Sequence, residues 1–249
     1  DDYHVDAQEY TYVAPTGINN QPTLRKFDEA ERNHDGLGVL AIIEATDAIN
    51  LTFGVDARFE DYDKSEFGLV SKDVTMYNSE ISYAPNDTFT LFFFGHRTDA
   101  DTFQRARQSG GTLSVNPADD WELTLDEITE TWGLGIDCRW AEAWSAHLLG
   151  QWSESDGNSD FFSPPGGTPN LAVGFDEYDD NDWKVYSGRI AYALRQNTTL
   201  GLSYARDRYV TNRFARDGLV PYMPASLLLN PVDGDYTADI VAVDLRMMF

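Results

Sequence analysis

The 249-residue chain has a single cysteine, Cys138, which excludes an internal disulfide and any cysteine-rich zinc or haem site of its own. Cations are scarce as well: 18 Lys and Arg stand against 42 Asp and Glu, for a net charge of −24. Such a balance repels phosphate backbones and so argues against a nucleic-acid partner. No apolar run approaches the roughly 20 residues that a membrane-spanning helix needs. This excludes helical membrane proteins but not β-barrels, whose alternating strands hide their hydrophobicity from any running average. Also absent are a glycine-rich phosphate loop, a nucleophile elbow and a Cys-x-x-Cys-His haem attachment, which predicts a chain that is not an enzyme and carries no haem itself. The chain opens on Asp1 and Asp2 with no initiator methionine and no signal peptide, which reads as a processed form or a fragment.

What the chain has in quantity is alternation. In "ADIVAVDLRMMF", Val241, Val243, Leu245, Met247 and Phe249 fall on odd positions while Asp244 and Arg246 fall on even ones, the period of a strand with one oily face. "TLGLSYARDRY" and "WKVYSGRIAYAL" alternate likewise across the short polar turn "RQNT". The same paired unit recurs as "TWGLGIDCRW" with "WSAHLLGQW", "VTMYNSEISY" with "FTLFFFGHR", and "GLGVLAIIEA" with "INLTFGVDARF". With a weaker N-terminal run, "YHVDAQEYTYV", the count predicts about ten antiparallel strands in a single domain over residues 1–249.

The connections alternate between short and long. Short turns fall near Thr46, Pro85, Ala143 and Asn197, and long loops are expected near 15–35, 60–73, 99–127, 154–182 and 212–235. Short periplasmic turns and long extracellular loops are the pattern of an outer-membrane barrel. The reading is therefore all-β, an antiparallel transmembrane barrel in contact with outer-membrane lipid, with the C-terminal Phe249 at the periplasmic rim. Tyr83, Phe89, Trp140, Trp144 and Tyr192 flank the short turns at outward parity, and with Phe249 they are expected to form an interfacial aromatic girdle. The bland alternative is that aromatics are simply common in strands.

On the polar parity three strands share one pattern, "VDAR", "IDCR" and "VDLR", which sets Asp56 with Arg58, Asp137 with Arg139 and Asp244 with Arg246. Glu44, Glu80 and Arg189 are expected to join them in a charged ladder facing the lumen, where confined charges need a partner or water. It reads as a structural lattice or, alternatively, as an ion path or docking surface. Of four histidines only His96 and His147 fall in firm strands, at inward parity. His96 precedes Asp99 and Asp101, the residue types that a rim protease of the omptin kind uses, but no motif of that family is matched. Clustered acids in "PADDWELTLDE" and "FDEYDDNDW" make Asp119, Asp120, Asp179, Asp180 and Asp182 weak Ca²⁺ candidates, without the spacing of a known loop.

The hairpin text from "KFDEAERNHDGLGVLAIIEA" through "FTLFFFGHR", and later "TETWGLGIDCRW", "LGLSYARDRY" and "YTADIVAVDLRMMF", resembles the MtrB/PioB family of decahaem-associated outer-membrane barrels over nearly the whole chain after about Leu24. The resemblance implies a non-redox sheath or scaffold around a multihaem c-type cytochrome, in which haem is supplied only by the partner. Length pulls the other way: ten strands about 4.8 Å apart and tilted about 40° close to a backbone diameter of only about 20 Å. Either the chain is the C-terminal part of a larger barrel, whose closing strands it resembles, or it is a free-standing ten-stranded barrel acting as a narrow channel, adhesin or structural protein.

Overall fold

The computed structural model describes residues 32–62, 66–107, 114–141, 143–166, 180–212 and 234–247. They form one antiparallel sheet in which each strand pairs with its neighbour in sequence. Nine strands are described: β1 (Asn33–Thr46), β2 (Ile49–Asp61), β3 (Gly68–Asn86), β4 (Phe89–Arg107), β5 (Asp120–Ala141), β6 (Trp144–Phe162), β7 (Asp180–Arg195), β8 (Thr198–Asn212) and β9 (Tyr236–Met247). The only other described element is a short 3₁₀ turn at Pro117–Asp119. The expected N-terminal strand in "YHVDAQEYTYV" and the terminal Phe249 lie outside the described residues. Among the described residues β1 and β9 are the two edges of the sheet.

Four pairs of strands follow one another with two residues between them, after Thr46, Asn86, Ala141 and Arg195, which places all the short connections at one end. Local chemistry explains two of them. Asn86 Oδ1 accepts from the Thr88 backbone N–H at 3.0 Å, and Thr46 Oγ1 accepts from the Ala48 N–H at 3.2 Å. Both are side-chain mimics of a turn hydrogen bond. Every one of these hairpins also has a register shift just before its turn, at Glu44/Thr46, Tyr83/Asn86, Cys138/Ala141 and Ala193/Arg195. An added residue there sharpens the local twist of the ribbon.

Three of the long connections are shorter than expected, while β8 and β9 bound the one near 212–235 as expected. β4 runs to Arg107 and β5 starts at Asp120, so of 99–127 only 108–119 lies between strands. Likewise β3 begins at Gly68, inside 60–73, and β6 continues to Phe162, inside 154–182. The physical reason is that backbone pairing continues where side-chain alternation loses its simple apolar signature: Asp101 faces Asp126 and Thr124 faces Asp160 across the ladder. Hydrogen-bonded pairing does not require an oily face.

A conventional core is nearly missing. Among the described residues the buried apolar side chains are Tyr62, Phe67 and Ala191, whereas Leu37, Val241 and Val243 are 69 to 70% exposed. A single sheet with this much exposed apolar surface needs another layer over it.

Candidate functional site

Cross-strand register sorts every side chain to one of two faces, because directly opposed residues share a face and neighbours alternate. One face, near the short turns, carries Phe53 and Val55 of β2, Leu91 and Phe93 of β4, Leu134 and Ile136 of β5, Ala146 and Leu148 of β6, Ile190 of β7, Leu202 of β8, and Val243 and Leu245 of β9. No charged residue interrupts it between Trp132 and Trp140 on β5 or between Trp144 and Trp152 on β6. Eight steps at about 3.4 Å, tilted by about 40°, give the band a height of about 21 Å. Barrels that cross the outer membrane show an apolar band of about 25 Å.

Tyr83, Phe89, Trp140, Trp144 and Tyr192 all lie on this face at the turn end. Three of them touch in a row: Trp140 stacks on Trp144 with centroids 5.9 Å apart, and Trp144 meets Tyr192 at 4.7 Å. Their spacing is that of favourable ring pairs.

The opposite face holds the whole expected ladder, Glu44, Asp56, Arg58, Glu80, Asp137, Arg139, Arg189, Asp244 and Arg246. Only one of the three Asp-x-Arg motifs pairs internally, Arg58 Nε donating to Asp56 Oδ1 at 2.8 Å. Asp137 instead pairs with His147 Nδ1 on β6 at 2.9 Å, and Asp244 takes Arg189 Nη2 from β7 at 2.6 Å. The latter reaches across β8 because Gly201 lies beneath it; a Cβ there would stand 2.4 Å from both Arg189 Nη2 and Asp244 Oδ1. Arg139 and Arg246 form no ion pair with any described residue. Asp87, Thr88, Thr90, Asp137, Arg139, Ser145, His147 and Arg189 line an open concavity of about 590 Å³ at the turn end of this face.

Glycines also thin the wall of the polar face. A Cβ at Gly135 would fall 2.1 Å from the Phe92 ring and one at Gly133 2.4 Å from Phe94, so both rings lie flat against the neighbouring strand. Aromatic cover of strand glycines is a recognised way of pinning register. Phe92 in turn stacks with His147 at 6.1 Å.

A family model described as "Putative outer membrane beta-barrel porin, MtrB/PioB" matches residues 4–249. The chain belongs to the MtrB/PioB family. No curated protein matches it. Membership in MtrB/PioB places the chain in the outer membrane and makes the nine described strands part of a porin-like β-barrel fold.

The remaining candidates of this MtrB/PioB chain are engaged with their neighbours. Asp119 accepts from the Ser114 hydroxyl, Asp120 is held by Arg107, Asp180 accepts from the Gly157 N–H at 3.1 Å, and Asp182 pairs with Lys184 at 2.7 Å. Asp179 lies outside the described residues, and among those described no group of three potential metal ligands comes together. His96 is on the polar face, where Nδ1 meets Asn78 Oδ1 at 2.6 Å and Nε2 meets Thr98 Oγ1 at 2.9 Å. Asp99 and Asp101, three and five residues on, fall at the opposite parity and point to the other face. The spacing that suggested an Asp/His rim pair therefore separates those groups. Reading by sequence missed His147 as the partner of Asp137; strand parity held the signal, but the cross-strand register that joins them did not show in it.

Proposed function

We propose that this chain is a non-catalytic wall of an outer-membrane barrel that sheathes a multihaem c-type cytochrome and insulates its electron path from lipid. The apolar face then meets outer-membrane lipid, the charged face lines the lumen, and the short-turn end with the C-terminus faces the periplasm. Haem enters only through the partner.

The observation that carries this reading is the low relief of the polar face. Small closed barrels fill their interior with their own side chains. Here β6 presents Ser153, Ser155, Gly157 and Ser159 at successive positions of that face, and Phe92 and Phe94 lie flat on Gly135 and Gly133. Such a wall leaves the space in front of it for something else. Arg139 and Arg246, without a described ion-pair partner, are placed to meet acidic groups of an enclosed protein.

Purification of the native complex in mild detergent tests the proposal. Haem absorbance is expected to follow this polypeptide through size exclusion in a fixed ratio, and Arg139→Ala with Arg246→Ala is expected to weaken that association. A monodisperse, haem-free barrel from cells that make multihaem cytochromes contradicts the sheath and leaves the narrow-channel reading, for which the exposed pairs Asp56–Arg58 and Asp137–His147 offer a polar path.

A further inference from the structure

The apolar face changes character along a single line. On β5 Trp132 is followed at the next outward position by Glu130, on β6 Trp152 by Glu154, on β7 Tyr186 by Lys184 and on β8 Tyr204 by Arg206. Beyond it the same face bears Asp99, Asp101, Asp126, Asp156 and Asp160, while the other face turns apolar, with Leu123, Leu125 and the stacked pair Trp121 and Phe161. The band face thus turns acidic above the line, and the opposite face gains apolar side chains near the far ends of β5 and β6.

The line is also tilted with respect to the ladder. Trp152 faces Lys184, not Tyr186, and Tyr186 faces Arg206, not Tyr204, so the last aromatic drops two residues per strand from β6 to β8. On β3 it stands higher, where the first charge beyond Tyr77 and Thr75 is Asp73. That slope is what a flat plane makes when it cuts strands inclined to the barrel axis. The rings have partners suited to a boundary: Trp132 stacks on Trp152 at 4.3 Å, Trp152 Nε1 donates to Tyr186 Oη at 3.0 Å, and Tyr204 Oη donates to Asp239 Oδ1 at 2.7 Å. Aromatic rings with a polar edge collect where hydrocarbon meets headgroups.

We infer that Trp132, Trp152, Tyr186 and Tyr204 mark the lipid–headgroup boundary on the long-loop side, and that β4 to β8 continue past it as a water-exposed collar. From Trp132 to the start of β5 at Asp120 there are twelve steps, about 40 Å along the strand. At a tilt of about 40° the collar rises about 30 Å above the membrane. The inference depends on lipid covering the apolar face and not on what fills the lumen.

The six tryptophans allow a direct test, since Trp132 and Trp152 lie on the upper line, Trp140 and Trp144 on the lower row, and Trp121 and Trp183 on the collar, on the face opposite the apolar band. Variants that keep one pair and carry Phe at the other four positions are reconstituted with phosphatidylcholines brominated at shallow or deep acyl carbons. Shallow bromines are expected to quench the Trp132/Trp152 and Trp140/Trp144 variants best, and neither lipid to quench the Trp121/Trp183 variant. Stronger quenching of Trp132/Trp152 by deep bromines overturns the boundary; loss of quenching from all four band tryptophans overturns the lipid assignment beneath it. Should a variant fail to fold, Asp126→Cys and Glu154→Cys in a Cys138→Ser background give a second reading. Rapid reaction with a charged maleimide, trapped on both sides of the vesicles, is expected, and protection of either thiol overturns the collar.

Discussion

Gly201 shows how much a single missing side chain decides on the polar face. Arg189 and Asp244 belong to strands that are not neighbours, and their ion pair exists because β8 offers no Cβ between them. Gly201→Val is expected to break it and to force the guanidinium aside, an overpacking cost of about 1–3 kcal/mol. The pair itself is partly exposed and worth at most about 1 kcal/mol. A double-mutant cycle with Arg189→Ala, read by chemical unfolding in detergent, is expected to show the two changes sharing one effect; strict additivity contradicts the bridge. Asp126 is the complementary case in the collar. Hydrogen bonding to Asp101, then burial, then the charges of Asp101 and Asp160 hold its carboxyl above the usual carboxylate range. A folded pKa raised above the unfolded one contributes stability below the unfolded pKa and loses it as pH rises through the folded value. Asp126→Asn is therefore expected to melt higher than the parent near neutral pH and to lose that advantage on acidification through the carboxylate range. A difference that does not change with pH contradicts the carboxyl pair.

At the scale of the strand, one face of each membrane segment tolerates charge and the other does not. Leu148→Arg, in the middle of the apolar band, is expected to cost about 2–4 kcal/mol in a bilayer. Gln151→Arg, on the polar face of the same strand and within the band, is expected to change stability little, and urea titrations of both variants in vesicles check the contrast. Parity was legible in the sequence for this part of the fold: Leu134, Ile136, Leu202, Val243 and Leu245 read as one face, and Asp137, Arg139, Asp244 and Arg246 as the other, as the register now has them. The upper strands were not legible. Asp101, Asp126, Asp156 and Asp160 stand where an oily face stood lower down, so a search for apolar alternation stops near residue 99 or 154 while the backbone ladder runs on. Partner choice was equally hidden, because Arg189 and Asp244 are 55 residues apart and meet only through the register of two hairpin connections.

At the scale of the molecule, the described residues form a sheet one layer thick, with three buried apolar side chains and an oily band on one side. Under the proposed reading its stability is tied to what covers each face, lipid on one and the lumen on the other, more than to an internal core. Nitroxide scanning of consecutive β5 positions in bilayers, from Trp132 to Arg139 with β8 and β9 controls and serine at Cys138, tests this two-sided wall most directly. Accessibility to oxygen is expected to peak at Leu134, Ile136, Leu202, Val243 and Leu245, and accessibility to a water-soluble nickel chelate at Gly135, Asp137 and Arg139. The reverse pattern, or accessibility that does not alternate from residue to residue, contradicts it.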